Sequence, residues 1–410
     1  MQHYFKNVLN TLSAVSSRHK GMMSPQKKFA LEVARLGYLL YSTEKPVAWC
    51  GVATPFELLH AMGVTSCFVE YIGAVLSAVG DIDSMLETAE RHGYSTDICS
   101  YHRSVHGAAL RSMMPTPDFL IATTSPCSSG FATIEQFAEY YSKDLFAIHV
   151  PQNSDPESVS YLAAQFKDMT AFAAKHTGRS IDSNNLRNVI KQSNKARSVM
   201  LDVYEMAKAI PTPVRSKDMI NLYYLMSLIM GSEYAVEMAE AYRDDFMNKM
   251  KNKKQGLAGE QIRLMWYQNR IQFKNPLERM LENEFKAVVV VDELNDITWD
   301  PIDPDDPYEG LAKRILNNPL VESLDKRIEH LIKLAQTYHV DGMINPCHWG
   351  CLQGTGARGL VEAGLKKAGI PVLNLEVDCV DAKNFSEGQA RTRLQAFIEM
   401  LLERKATADP

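Results

Sequence analysis

Residues 340–377 read VDGMINPCHWGCLQGTGARGLVEAGLKKAGIPVLNLEV, and the spacing of their apolar residues changes twice. VDGMINP is a short apolar run of strand length, RGLVEAGLKKAG repeats its apolar residues at helical spacing, and IPVLNLEV returns to a strand pattern. A strand, a helix and a second strand in immediate succession form the crossover unit of a parallel sheet. The same alternation recurs along the chain. Upstream it runs through KPVAWCGVA, SCFVEY, PDFLIATTSPC and LFAIHVP, with helical stretches between them, and it resumes at QIRLMWYQN and KAVVVVDEL. These patterns predict an α/β protein built from two parallel-sheet halves. A helical segment over residues 1–45 precedes a first α/β domain over 46–156. A helical insertion or bridge over 157–256 leads to a second α/β domain over 257–410.

At 410 residues the chain exceeds the ~250–300 at which a single core stops growing, which suits a division into domains. Its formal charge of -5, from 44 basic and 49 acidic residues, with no long basic run, argues against nucleic acid as a partner. No uninterrupted apolar run reaches membrane-spanning length, and the N-terminus lacks the apolar core and cleavage site of a secretory leader. The expectation is a cytoplasmic protein without a membrane partner. Seven scattered cysteines in a reducing compartment do not suggest a disulfide framework.

Most of these cysteines follow strand ends, the rim where open α/β sheets keep their ligands. Cys50 ends VAWC, Cys127 ends the PDFLIATTSPC run, Cys347 and Cys351 follow VDGMINP, and Cys379 follows VLNLEVD. Cys67 opens SCFVEY and Cys99 lies in GYSTDICSYHR. Free cysteine is also simply a small buried hydrophobe, so position alone assigns no role to any one of them. Soft thiolates select zinc or iron-sulfur clusters. Structural zinc usually takes two local cysteine pairs, and only Cys347 and Cys351 approach one here. A cluster held from separate loops fits the layout better, although ferredoxin spacing is missing. Gly354, Gly356 and Gly359 satisfy the dinucleotide G-x-G-x-x-G pattern, with Glu376 or Asp378 downstream, but CHWGCLQ separates the expected strand end from the first glycine. The alternative is that small residues let the helix begin close to whatever the loop holds.

The segments GYSTDICSYHR, PDFLIATTSPCSSG, INPCHWGCLQ and LEVDCVDAKNFSEGQARTRLQAFIEML, in that order, resemble the family of 2-hydroxyacyl-CoA dehydratase and ATP-dependent benzoyl-CoA reductase subunits. The resemblance extends from about Lys45 to Arg404. It implies two Rossmann-like (flavodoxin-like) domains with helical additions, a 4Fe-4S cluster between them and a CoA thioester substrate. By motif, Cys99, Cys127 and Cys351 match the three cysteines that hold the family's cluster. The resemblance also implies a homologous second subunit, or a second copy of the chain, and a separate ATP-hydrolysing iron-sulfur activator as electron donor. The chain itself has no G-x-x-x-x-G-K-S/T motif.

The candidate catalytic residues are Glu70, an acid or base where the family often carries a Glu near substrate, and His348, a donor to the cluster or to a thioester oxygen unless it only packs beside Trp349. Asp378 and Asp381 match an Asp pair of the family, Arg391 and Arg393 are expected to brace the last helix, and Trp266 is a core or acyl-pocket aromatic. Cys50 and Cys67 depart from the dehydratase pattern and resemble members with a double-cubane (8Fe-9S) cluster, for which Cys347 or Cys379 would be the sixth ligand. Together with HWGC, this tilts the reading toward an aromatic acyl-CoA reductase. A radical (R)-2-hydroxyacyl-CoA dehydratase and a non-catalytic or double-cubane electron relay are the alternatives.

Overall fold

The computed structural model describes residues 1–18, 23–219 and 228–408; residues 220–227, within the expected helical bridge, lie outside the described residues. Two four-stranded sheets form the frame. The first contains β1 (Val47–Cys50), β2 (Thr65–Phe68), β3 (Phe119–Thr123) and β4 (Leu145–Ile148), ordered β2-β1-β3-β4. The second contains β5 (Ile262–Trp266), β6 (Ala287–Asp292), β7 (Gly342–His348) and β8 (Val372–Val377), ordered β6-β5-β7-β8. All pairings are parallel, as the strand and helix alternation requires.

Both sheets are covered on two faces, and the side-chain alternation shows it. On β5, Ile262, Leu264 and Trp266 pack with Leu394, Phe397 and Leu401 of the last helix, α14 (Glu387–Ala408), whereas Met265 and Tyr267 face the larger core. Such strands read as continuous apolar runs because neither face meets water. In the helical region, α8 (Pro156–Thr177) starts at the N-cap Asp155 and α9 (Ser183–Ala207) at Asp182, each side chain accepting from a first-turn N–H. A third long helix, α10 (Glu233–Lys251), packs along α9.

One strand runs further than its sequence suggests. β7 continues through Pro346, Cys347 and His348, paired with β8 from Met343↔Val372 to His348↔Val377. Met343 N–H donates toward the β8 side, to Pro371 O. Alternation therefore turns the Pro346 nitrogen toward β5, where pairing stops at Ile344, so the missing proline N–H costs no ladder bond.

In each sheet the chain reverses direction of propagation between the two central strands, β1/β3 and β5/β7. Crevices at such switch points, beyond the strands' carboxyl ends, are where open α/β sheets bind ligands. Here the two crevices face one another. Ser77 Oγ donates to Val380 O (2.7 Å) and Tyr101 OH to Arg270 O (3.1 Å), tying the first half to the second.

Candidate functional site: three thiols between two sheets

A cavity of about 140 Å³ lies between the halves, and Cys99, Cys127 and Cys351 all line it. Its volume would admit several waters, so it is not a packing void of the core. Each of these cysteines occupies an N-terminal capping position. Cys99 precedes α6 (Ser100–Leu110), Cys127 precedes α7 (Ser128–Tyr141), and Cys351 precedes the π turn Leu352–Gly356. Cys127 Sγ accepts from Gly130 N–H at 3.2 Å. Orphan amides at helix starts favour negative charge, so these positions suit thiolates.

Burial opposes that charge. It pushes the Cys99 thiol far up, and the neighbouring Cys351 and Cys127 push it further. Burial, followed by the charges of Glu70 and Cys351, pushes Cys127 up to about 12 despite its amide donors. Three mutually repelling thiols around one cavity are the donor set that a cationic iron core would stabilise in the deprotonated form. Among the described residues no group of three or more His, Cys, Asp and Glu side chains could hold a single metal ion; the thiols ring a space instead.

The other four cysteines do not line the cavity, although Cys379 is near enough to Cys99 and Cys351, and Cys67 to Glu70, for their charges to interact. Cys50 and Cys67 are fully buried on neighbouring strands β1 and β2, inside the apolar core of the first sheet, and neither lines the cavity. Cys347 points along β7 toward Asn374 Oδ1 (3.6 Å). Cys379 is buried behind His348, to whose Nδ1 its backbone N–H donates at 2.9 Å.

Glu70, the first residue of α4 (Glu70–Val79), lines the cavity. His102 Nε2 meets its Oε1 at 3.0 Å, and His102 Nδ1 meets Ser129 Oγ at 2.8 Å. Glu70 Oε2 is buried and has no hydrogen-bond partner among the described residues. A carboxylate oxygen left bare in a ligand-sized cavity is a candidate proton acceptor. His102, buried and also lining the cavity, was not singled out from the sequence. Its signal was present in GYSTDICSYHR, where it sits one helical turn after Cys99. His348 is fully buried, its Nε2 at 3.2 Å from Cys99 Sγ and its ring edge against Tyr101. Burial holds its pKa down at about 4, against the raising influence of Asp378.

A polar clamp closes the second wall. Arg327, paired with Glu293 (2.6 and 2.8 Å), also donates to Gln268 Oε1 (2.8 Å) and Gln353 Oε1 (3.1 Å), while Gln353 Nε2 donates to Pro126 O (2.9 Å) beside Cys127. Arg327 lies outside every quoted motif, and Gln353 ends INPCHWGCLQ but carried no role there, so neither contact was legible in advance. Trp266 is buried with its indole N–H on Asn269 O and does not line the cavity. Asp378 organises the turn after β8, accepting from Ser100 Oγ, Val380 N–H and Asp381 N–H. Arg391 pairs with Glu284 and Arg393 donates to Asn374 O, bracing the final helix.

The glycine pattern has a different meaning from either sequence reading. An added Cβ would meet nothing at Gly356 or Gly359 and only ordinary contacts at Gly354. The close approach is at Gly350, outside the pattern, where φ is +74° and a Cβ would lie 2.4 Å from Cys99 N. β7 ends at His348 and α13 (Arg358–Lys367) begins after the π turn, so the glycines do not form the strand-to-helix turn of a dinucleotide site.

Comparison with known proteins identifies the family. The family model described as 2-hydroxyglutaryl-CoA dehydratase, D-component, matches residues 51–401. The chain belongs to this family. It is 23% identical to the (R)-phenyllactyl-CoA dehydratase alpha subunit of Clostridium sporogenes, over 88% of this chain and 90% of that one. It is 25% identical to the lactoyl-CoA dehydratase alpha subunit of Anaerotignum propionicum, over 88% and 92%. A benzoyl-CoA reductase subunit of Thauera aromatica is 24% identical over 79% of this chain and 81% of its own. Across this family member's described residues, no helix is long and apolar enough to cross a membrane.

Proposed function

We propose that this chain is the iron-sulfur subunit of an enzyme acting on acyl-CoA thioesters, with Cys99, Cys127 and Cys351 holding a single 4Fe-4S cluster. The observation that carries the reading is that the three thiols matched by motif are the three that line the cavity between the sheets, each at a helix start. A cluster bound there supplies single low-potential electrons to the thioester group. Placing Cys50 and Cys67 inside the apolar core speaks against a second cubane, so four irons per chain are expected.

The lead reaction is loss of water from a 2-hydroxyacyl-CoA. In this elimination the C3–H and C2–O bonds break, a C2–C3 double bond forms, and water leaves with no net redox change. Glu70 is the residue proposed to take the C3 proton, a role supported by its unpartnered Oε2 in the cavity and by His102, which with Ser129 would hold the carboxylate. Half-buried Leu294 and Leu320 and buried Phe68 give the cavity an apolar wall, which would limit water at the reacting carbons. The relatives named as dehydratases support this choice. A second reading, reduction of an aromatic or related acyl-CoA, keeps the support of the HWGC sequence and of the reductase relative. It consumes two electrons and two protons for each double bond removed.

The partners proposed are a homologous second subunit, supported by relatives named alpha subunits, and a separate ATP-hydrolysing iron-sulfur activator as electron source. Anaerobically purified protein should contain four irons per chain. With activator and partner, it should convert a 2-hydroxyacyl-CoA without stoichiometric consumption of reductant. Stoichiometric reductant use with an aromatic acyl-CoA would select the second reading, and absence of iron under strict anaerobiosis would overturn both.

A further inference from the structure

The surroundings of His348 assign it a specific task. Its Nδ1 receives the backbone N–H of Cys379 at 2.9 Å, and a backbone amide can only donate. Nδ1 is therefore the acceptor nitrogen, and in the neutral ring the proton sits on Nε2. That nitrogen lies 3.2 Å from Cys99 Sγ. A metal-ligating histidine shows the opposite pattern, donating its second ring N–H to a carboxylate or carbonyl. The nearby carboxylate oxygen, Asp378 Oδ1, is 3.6 Å from Nδ1 and is already taken by Ser100 Oγ and two backbone amides. Cys379, Tyr101 and the Asp378 turn leave the fully buried ring no room to turn.

From this geometry we infer that His348 is a positioning residue that donates an Nε2–H···S hydrogen bond to Cys99 and thereby sets the reduction potential of the group Cys99 holds. The inference rests on the cluster reading above and deepens it. It excludes His348 both as an iron ligand and as a donor to the thioester. The Nε2–H···S bond places a positive hydrogen beside the Cys99 sulfur. Each such bond withdraws charge from sulfur and favours the reduced, more negative state.

The test is an anaerobic redox titration, followed by electron paramagnetic resonance, of holoprotein carrying His348→Phe or His348→Gln. Both variants should retain the wild-type iron content. His348→Phe, which lacks a donor, should be at least about tenfold harder to reduce, a shift of ~59 mV or more to negative potential for one electron. His348→Gln, which keeps an N–H, should fall between His348→Phe and wild type. An unshifted potential in His348→Phe overturns the inference, as does loss of iron from folded His348→Gln, which would make His348 a ligand. Ring-nitrogen shifts in histidine-labelled wild type provide a readout independent of variant folding: an Nδ1–H tautomer refutes the proposal and an Nε2–H tautomer supports it. Wild-type protein devoid of iron would defeat the function reading itself, a result distinct from any of these.

Discussion

Replacing Gly350 with Ala should separate the two walls of the site. Gly350 has φ +74°, in the left-handed region, where a side chain costs about 1–2 kcal/mol. Its Cβ would stand 2.4 Å from Cys99 N, 2.7 Å from Cys99 Cα and 2.8 Å from Asp97 O. All three are backbone atoms, so no rotamer change relieves the contact. Ordinary carbon contacts lie at roughly 3.5–4.0 Å, which requires the Gly350 loop and the Cys99 segment to part by about 1 Å. Overpacking of this kind adds about 1–3 kcal/mol, for a total near 2–5 kcal/mol and, for a chain of this length, a thermal midpoint lower by roughly 2–6 °C. Because Cys351 follows Gly350 directly, the shift also widens the Cys99 to Cys351 spacing, and a displacement near 1 Å in a positioned site costs about 100-fold in rate. Gly356→Ala is the control: its Cβ meets nothing, and it should stay within about 0.5 kcal/mol of wild type. Thermal scans, iron content and turnover on the two variants make the comparison. A Gly350→Ala protein as stable and iron-replete as Gly356→Ala would refute the close-approach argument.

Other perturbations probe separate parts of the structure. Glu70→Gln should lower kcat by roughly 10²–10⁴ with iron content unchanged and KM for the acyl-CoA little altered; steady-state kinetics showing wild-type kcat would remove Glu70 from the chemistry. Cys127→Ser should lose iron, whereas Cys50→Ala and Cys67→Ala should keep it, and an iron loss in either of the latter would revive the second cubane. Arg314→Met should destabilise by about 3–5 kcal/mol, read as a lowered denaturant midpoint, because it strands the buried Glu57 that Arg314 and Ser193 hydrogen-bond. Burial resists ionisation of Glu57, but Arg314 and these bonds prevail and bring its pKa to about 2 from an ordinary 4.5. A depressed carboxyl contributes stability above its unfolded value, so that contribution should fade as pH drops from about 4.5 toward 2. Glu57→Gln should abolish this part of the acid sensitivity, and an unchanged stability profile across that window would refute it.

Most of the strands were legible as short apolar runs, fully buried in β1, β3, β5, β6 and β7 and partly open in the edge strands β4 and β8, and the parallel arrangement followed from the helices between them. The extent of β7 was not, since a proline ordinarily ends a strand and only the register shows its nitrogen facing an unpaired side. Cys99, Cys127 and Cys351 were marked by their motifs. What escaped were long-range partners: His102 on Glu70, Gln353 on Pro126, and Gly350 against Cys99, contacts between residues far apart in the chain whose local patterns carry no trace of one another.

The strand order of the second sheet repeats that of the first. Cys127 follows β3 and Cys351 follows β7, the third strand of each repeat, so two of the thiols occupy corresponding stations in a duplicated plan. Cys99 has no counterpart: it lies in the connection between β2 and β3, residues 69–118, whereas the connection of similar length between β6 and β7, residues 293–341, carries no cysteine. The first half can therefore offer two thiols and the second only one, and neither completes the set alone. If the three thiols hold the cluster proposed above, its capture would be a checkpoint on assembly, achieved only after both repeats have folded and docked, and a chain that had not closed would be marked by the metal it failed to keep.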